Sequence, residues 1–462
     1  GAEREFFSSK DAFGHAELQR AGELAASVAA KGVDPTAQPR KAPLPSWWGL
    51  EKAKVRHMIV PTGSDSTNRG ATVNLSNSIV GAGILGLALF VSRMGYVVGP
   101  IMMLVMASLM GHMTATLVRV GAVERCDSYG QAVYAVLGRR AGAAMQWLIV
   151  LTTAGSLIAY VILIGDFVTA IGSAFVPVEH VWRRTIVVFL MLVIVFPLVL
   201  RRDLNGLRAF SFLSMMFVCV FIVGLFVRGS DMVADRGSWG ADLHAAPLDV
   251  LQFFKALPVA TFAFNCAPSA FPVYVSMRSS TQKDFNKVVR AAFPFVFTMY
   301  VSVGTFGYLV FGSASTGNIL KTFSQLGDNS SFLTLVTMLF MFTIVFTFPL
   351  VAFSHRVSLH YILFGAREAS HMEHFFESVG ILGFATLIGV LVDDVSIVFG
   401  FVGSFGSASL SLTVPALMAL YSKQLQASVT PRWRAFYWGV FAYGVALTIM
   451  GLISTMETVL SA

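Results

Sequence analysis

Charge is the scarcest property of this sequence. Only 13% of its 462 residues are Asp, Glu, Lys or Arg, about half the share usual in a soluble domain. Hydrophobic residues make up 55% and mean hydropathy is +0.71, which excludes a soluble globular domain. Cysteine is also scarce. Cys126 falls in a loop and Cys219 and Cys266 inside expected helices, so neither an extracellular disulfide nor a zinc spacing is on offer. There is no phosphate-binding glycine loop, metal triad or Ser-His-Asp context, and the chain reads as no enzyme, without an organic cofactor. The alternating weak polarity of barrel strands is missing as well.

What is present is a series of apolar runs, each long enough to cross a hydrocarbon core about 30 Å thick at about 1.5 Å per helical residue. Eleven are expected, near 71–95, 97–122, 144–172, 184–201, 205–228, 250–277, 289–313, 330–354, 376–392, 394–421 and 434–458. The fold class is an all-α integral membrane protein with eleven transmembrane helices, seated in the bilayer as one domain over 71–462. No secretory leader is read ahead of the first run, so that helix is expected to direct insertion itself.

The net charge of +8 would suggest a polyanion partner in a soluble protein, but its placement points to a membrane and not to nucleic acid. With the N-terminus in the cytoplasm, the loops on that side carry sixteen Lys and Arg residues and the opposite loops seven. This positive-inside bias puts the C-terminus outside or in a lumen. Asp231, Asp235, Asp242 and Asp249, and the glycosylation triplet Asn329-Ser330-Ser331, then lie on the outer side. Residues 1–70, with ten basic and eight acidic residues and no apolar period, read as a mostly disordered cytoplasmic tail. Trp47 and Trp48 beside Lys52, Lys54 and Arg56 suit an anionic leaflet, a flexible linker, or a regulatory segment that recruits a partner.

Two spans are oddly weak. The first contains "NSIVGAGILGLALF", Asn77 to Phe90, where Gly81 and Gly83 each lower helix propensity by about 1 kcal/mol against alanine. The sixth contains "FAFNCAPSAFPVY", Phe262 to Tyr274, with Asn265, Pro268 and Pro272 in mid-span; proline removes a backbone donor and clashes with the preceding turn. Interrupted helices in matching places of two five-span halves are the pattern of inverted-repeat transporters. Close packing through small residues is the alternative. Unwound backbone at membrane depth survives where it lines a cavity or is buried in protein. Amide groups of a half-helix starting near Ile84 suit a carboxylate, and freed carbonyls suit an ammonium or a sodium ion.

These motifs, with "SYGQAVYAVLG", "AYVILIGDF", "FGYLVFG", "TFPLVAFSHR", "GFVGS" and "LTVPALMALY", resemble the amino acid/auxin permease family, and within it the sodium-coupled neutral amino acid transporter branch. The resemblance covers about 71–458. It implies a LeuT-type 5+5 inverted repeat with broken first and sixth helices plus one extra helix, and secondary active transport of an amino acid. It also implies a sodium site between the first and eighth helices, matched here by Asn77 and Thr347, with the Val80 carbonyl and Thr343 completing the oxygen set. Thr343 and Thr347 lie on one helix face, although such hydroxyls also bond back to their own helix. Substrate contacts fall to Asn77, Gly81, Ala82, Gly83, Ile84, Phe264 and Asn265. One departure is visible: the histidine and Leu-Pro of the branch's sixth-helix motif are here Ala267 and Phe271-Pro272, so substrate preference does not carry over.

Asp166 is the one acidic residue set well inside an expected span. It reads as ion ligand, proton carrier or gate, or as the structural partner of Arg183 or Arg184. His112 reads as a proton carrier or a packing residue. Proton coupling thus stands as an alternative to sodium, and a sensor signalling through the tail, or a passive facilitator, as alternatives to a pump. Plasma membrane and internal organelle membrane both fit.

Overall fold

The structure is a computed structural model and describes residues 66–172, 180–201, 208–326, 330–365, 367, 369–426 and 429–461. The expected tail up to residue 65 and Asn329 lie outside the described residues. The first span comprises α1 (Asn68–Ile79), a 3-10 segment (Ala82–Gly86) and α2 (Leu87–Met94). It is followed by α3 (Val98–Val123), the short α4 (Tyr129–Leu137), α5 (Arg139–Gly172), α6 (His180–Leu190) running through a π-turn into α7 (Phe196–Val199), and α8 (Arg208–Arg236). The second half repeats the order: α9 (Val250–Ala263) and α10 (Ala267–Ser276), α11 (Gln282–Phe311), the short α12 (Ile319–Gln325), α13 (Ser331–Phe364), α14 (His371–Leu391), and α15 (Val395–Phe401), which passes through two π-helical stretches to α16 (Val414–Tyr421). A short α17 (Lys423–Gln426) leads to the last span, α18 (Pro431–Ser461).

Ten helices are long and apolar enough to cross a membrane, and the bent pair at the start makes eleven among the described residues. The two halves match span for span. Each opens on an interrupted helix, carries a 34-residue third helix (α5 and α13), and places its short surface helix between second and third spans. Because each half has an odd number of spans, the second starts from the opposite face and the repeat is inverted. The face where α1 begins is called the first face here; α12 lies on the second.

Packing follows the symmetry. α5 and α13 lie against each other along their length, while α11 packs on α1, α2 and α3. In the apolar window of α5, 72% is buried, against 28% for 182–199 and for α18; α5 therefore belongs to the interior and the other two to the lipid boundary. Several helices reach past their apolar runs. α11 begins at Gln282 and α13 continues to Phe364, because hydropathy reads the lipid-facing window while hydrogen bonding carries the helix to its cap. Thr281 accepts from Asp284 N, Ser330 from Leu333 N, and Ser370 with Glu373 forms a capping box. Each cap is worth about 1 kcal/mol.

Candidate functional site

The two interruptions sit side by side. α1 ends at Ile79, where Val80 takes φ −77°, ψ 77° and the Gly81 amide donates to the Ile79 carbonyl at 2.8 Å. This is an inverse γ-turn. The carbonyl of Asn77, whose i+4 amide is thereby diverted, is left without its helical donor. The 3-10 segment Ala82–Gly86 follows, so regular α-helix resumes at Leu87 and not near Ile84, with Gly83 and Gly86 lowering the α-helical propensity of the stretch. The half-helices of the first span are bent by 50°, whereas the sixth runs as one 27-residue span.

In the sixth span the interruption is Phe264–Cys266, ahead of both prolines. Pro268 stands in the first turn of α10, where its missing N–H would have had no helical acceptor, and Pro272 lies within α10. The asparagine, not the prolines, organises the break. Asn265 donates from Nδ2 to Ser407 Oγ at 3.1 Å, and its Oδ1 accepts from Ser411 Oγ at 2.9 Å and from the Ala267 amide at 3.3 Å. Both serines lie on the π-helical stretches of the tenth span, Val402–Ser407 and Ser409–Thr413. Asn265 is therefore tied to that span by both ends of its amide.

Gly83 explains how the breaks come so close: a Cβ there would stand 2.5 Å from Ala263 Cα, so only glycine admits the end of α9. Ala82, Gly83 and Ile84 are buried. Gly81 has more room, its nearest neighbour being Tyr160 Oη at 3.4 Å from an added Cβ. The Tyr160 ring in turn lies 6.3 Å from that of Phe348, the residue after Thr347, so α5 intervenes between the first break and α13. Phe264 is wholly buried against Tyr300, with ring centroids 4.9 Å apart.

Tyr300, on α11, is the residue that sequence reasoning missed. Its side chain is fully buried and its hydroxyl reaches the Ile79 carbonyl at 2.8 Å and the Ala263 carbonyl at 3.0 Å, the last carbonyls of α1 and α9. A tyrosine well inside an apolar helix, away from the interfacial belt where tyrosine is enriched, was the available signal.

The expected ion ligands divide. Asn77 is 7% exposed in the last turn of α1, and Thr343 and Thr347 sit on α13. Thr347 donates to Thr343 O at 2.7 Å and Thr343 to Leu339 O at 3.3 Å. The threonines thus satisfy their own protons and keep oxygen lone pairs, a donor chemistry that fits a hard cation. α13 packs chiefly on α5 and α8 and α1 chiefly on α11, α8 and α10; α8 is their common neighbour.

Near the second face Asp166, its side chain 3% exposed, meets Lys321 Nζ at 3.1 Å, Asn318 Nδ2 at 3.2 Å and Arg183 Nη2 at 3.5 Å. Arg183 also reaches Asp393 at 2.9 Å. The partner is Arg183, and Lys321 of α12 and its N-cap Asn318 join it. This knot borders a cavity of about 260 Å³ lined also by Leu89, Arg93 and Asp394. His112 stacks on Trp433 at 5.1 Å and lies 3.5 Å from Thr116 Oγ1, inside an aromatic cluster with Phe436 and Tyr437.

Two interrupted helices meeting inside an inverted five-plus-five frame define the LeuT-type transporter fold. The chain belongs to the transmembrane amino acid transporter protein family, whose profile matches residues 64–457. It is 25% identical over 408 residues to the Arabidopsis thaliana amino acid transporter AVT6E, covering 84% of this chain and 82% of that one. It is 24% identical over 374 residues to the Danio rerio sodium-coupled neutral amino acid symporter 2, covering 76% and 74%. Among solved structures, MhsT in complex with L-phenylalanine superposes with a TM-score of 0.55 at 10% identity, covering 85% of this chain and 99% of that one. A Na+-coupled sialic acid symporter in a substrate-bound outward-open state gives 0.52 at 11%, covering 87% and 92%.

Proposed function

We propose that the protein is a secondary active transporter of neutral amino acids, coupled to sodium and working by alternating access around the paired breaks. The observation that carries this reading is the meeting of two half-helix ends, Ile79 and Ala263, on one buried phenol. Carbonyls released there suit a substrate ammonium, and the amides of the 3-10 segment suit its carboxylate. Gly81, Ala82, Gly83 and Ile84 contribute backbone to the pocket, with Asn77, Phe264 and Asn265 at its walls; Asn265 serves mainly by holding the break to the tenth span. Sodium is assigned to Asn77, the Val80 carbonyl, Thr343 and Thr347, supported by their oxygen chemistry and by the Danio rerio relative, a sodium-coupled symporter. With the first face cytoplasmic, as the sixteen-to-seven excess of basic residues favours, Asp166 and its partners form the gate on the outer or lumenal side. The segment ahead of the first span, expected as 1–70 and shortened by the start of α1 at Asn68, is then a cytoplasmic tail open to a regulatory partner.

The test is uptake of a panel of labelled amino acids by purified protein in proteoliposomes under imposed sodium or proton gradients. Concentrative uptake of neutral amino acids under the sodium gradient alone is expected, and Thr347→Ala should raise the sodium concentration for half-maximal uptake about tenfold, the effect of about 1.4 kcal/mol. Drive by protons alone transfers the coupling role to the alternative ion. Saturable binding without accumulation replaces transport with a sensor.

A further inference from the structure

We infer that Tyr300 is a positioning residue that couples the two halves of the transporter by sharing a single proton between them. This rests on the transport reading above. A phenol carries one donor hydrogen, yet its oxygen stands within hydrogen-bond distance of two carbonyls, Ile79 O at 2.8 Å and Ala263 O at 3.0 Å. Those carbonyls terminate half-helices from opposite repeats.

The two acceptors are not equivalent. Ile79 O already takes the Gly81 amide of the γ-turn at 2.8 Å, so with the phenol both of its lone pairs are engaged. Ala263 O lacks its helical donor, because the Ala267 amide turns to Asn265 Oδ1, and it keeps a lone pair open. A primary ammonium arriving at the Ala263 end supplies the proton which that carbonyl needs and releases the phenol to Ile79. Occupancy at the sixth-span break is thereby transmitted to the first span. The ring itself is held by Phe264, so the hydroxyl turns about a fixed axis, and the device switches an acceptor without moving a side chain.

The experiment uses full-length protein in proteoliposomes with labelled L-alanine, L-glutamine and L-leucine, under the gradient that drives the wild type. Tyr300→Phe keeps the ring and removes the proton. The expected result is a KM lowered about tenfold, because the Ala263 carbonyl then has no phenol and gains its hydrogen bond only from the ammonium, with the ion dependence of KM flattened. Replacement by 4-aminophenylalanine, whose amine offers two protons for two carbonyls, should raise KM above the wild-type value, since both carbonyls are then satisfied before the ammonium arrives. An unchanged KM and ion dependence in Tyr300→Phe overturns the inference. So does a fall in melting temperature and maximal rate at constant KM, which marks a merely structural bond. Should the phenylalanine variant not fold, the aminophenylalanine variant decides: a raised KM supports the shared-proton role and a wild-type KM overturns it. If the wild type accumulates none of the three amino acids under either gradient, the transport reading falls and takes this inference with it.

Discussion

Helices α4 and α12 occupy equivalent places in the two halves, each between the second and third spans, yet they close their faces by different chemistry. α4 is held by a neutral contact: Tyr129, 4% exposed, donates from Oη to Leu410 O at 2.6 Å and stacks near Phe271 at 6.2 Å. Burial pushes the Tyr129 phenol well above its ordinary pKa, so it remains a neutral donor. α12 is held by charge, with Asp166 between Lys321 and Arg183. The Asp166 knot joins four segments, namely α5, α6, α12 and the stretch before α15. The difference is one of cost when the contact is broken. A neutral contact exchanges its hydrogen bond with water for about 1 kcal/mol, whereas a buried ion pair that loses one partner costs about 3–5 kcal/mol. Removing the charge at the α12 face should therefore alter the molecule more than removing the hydroxyl at the α4 face.

The largest effect is expected for Asp166→Asn, which takes the buried carboxylate from Lys321 and leaves Arg183 with Asp393 alone. It should destabilise the protein by about 2–3 kcal/mol, less than for a fully buried pair because Arg183 keeps Asp393 and Lys321 is about one-third exposed, read as a lower thermal midpoint in detergent. A midpoint equal to that of the wild type would remove the asymmetry between the faces.

How far the sequence foretold this contrast depends on the range of each contact. Asp166 was conspicuous because an acid within an apolar run has few explanations, and Arg183 stood close enough in the chain to be named. Lys321 and Asn318 were not, because they arrive through the folding of a loop about 150 residues away. The interrupted first span was legible through its two glycines, and the span count through hydropathy. The sixth break was legible as a stretch, Phe262 to Tyr274, but not to the residue, because Pro268 stands in the first turn of the next half-helix, where proline is a good starter. The pairing of Asn265 with Ser407 and Ser411, and of Tyr300 with both breaks, is purely tertiary. Single polar residues in apolar helices carry no mark of which neighbour they will meet.

A middle-sized effect is expected for Lys321→Met. Lys321 is about one-third exposed while Arg183 still serves Asp166, so solvent screening limits the loss to about 1 kcal/mol. The sharper readout is access. A cysteine at Leu89, which lines the 260 Å³ cavity, should react faster with a membrane-impermeant maleimide once Lys321 no longer holds α12, in a background where Cys126, Cys219 and Cys266 are serine. Equal labelling rates would separate the knot from access. Tyr129→Phe should match Lys321→Met in stability cost and fall below it in its effect on access. Losing one neutral bond while keeping the ring against Phe271 should cost about 1 kcal/mol, measured as a shift of the thermal midpoint, and should leave labelling at position 89 unchanged.

The π-helical stretches of the tenth span have a further consequence. The Ala408 amide reaches back to Gly403 O and the Val414 amide to Ser409 O, five residues each instead of four. The span therefore holds more residues over the same path than a plain α-helix does. Passing one residue out of such a turn would lengthen the helix and rotate everything beyond it by about 100°. Asn265 is clasped from both stretches at once, so its two serines cannot follow such a screw motion independently. The asparagine is thus a pawl on the thread: while Ser407 and Ser411 both hold its amide, the extra residues of the tenth span are kept in place.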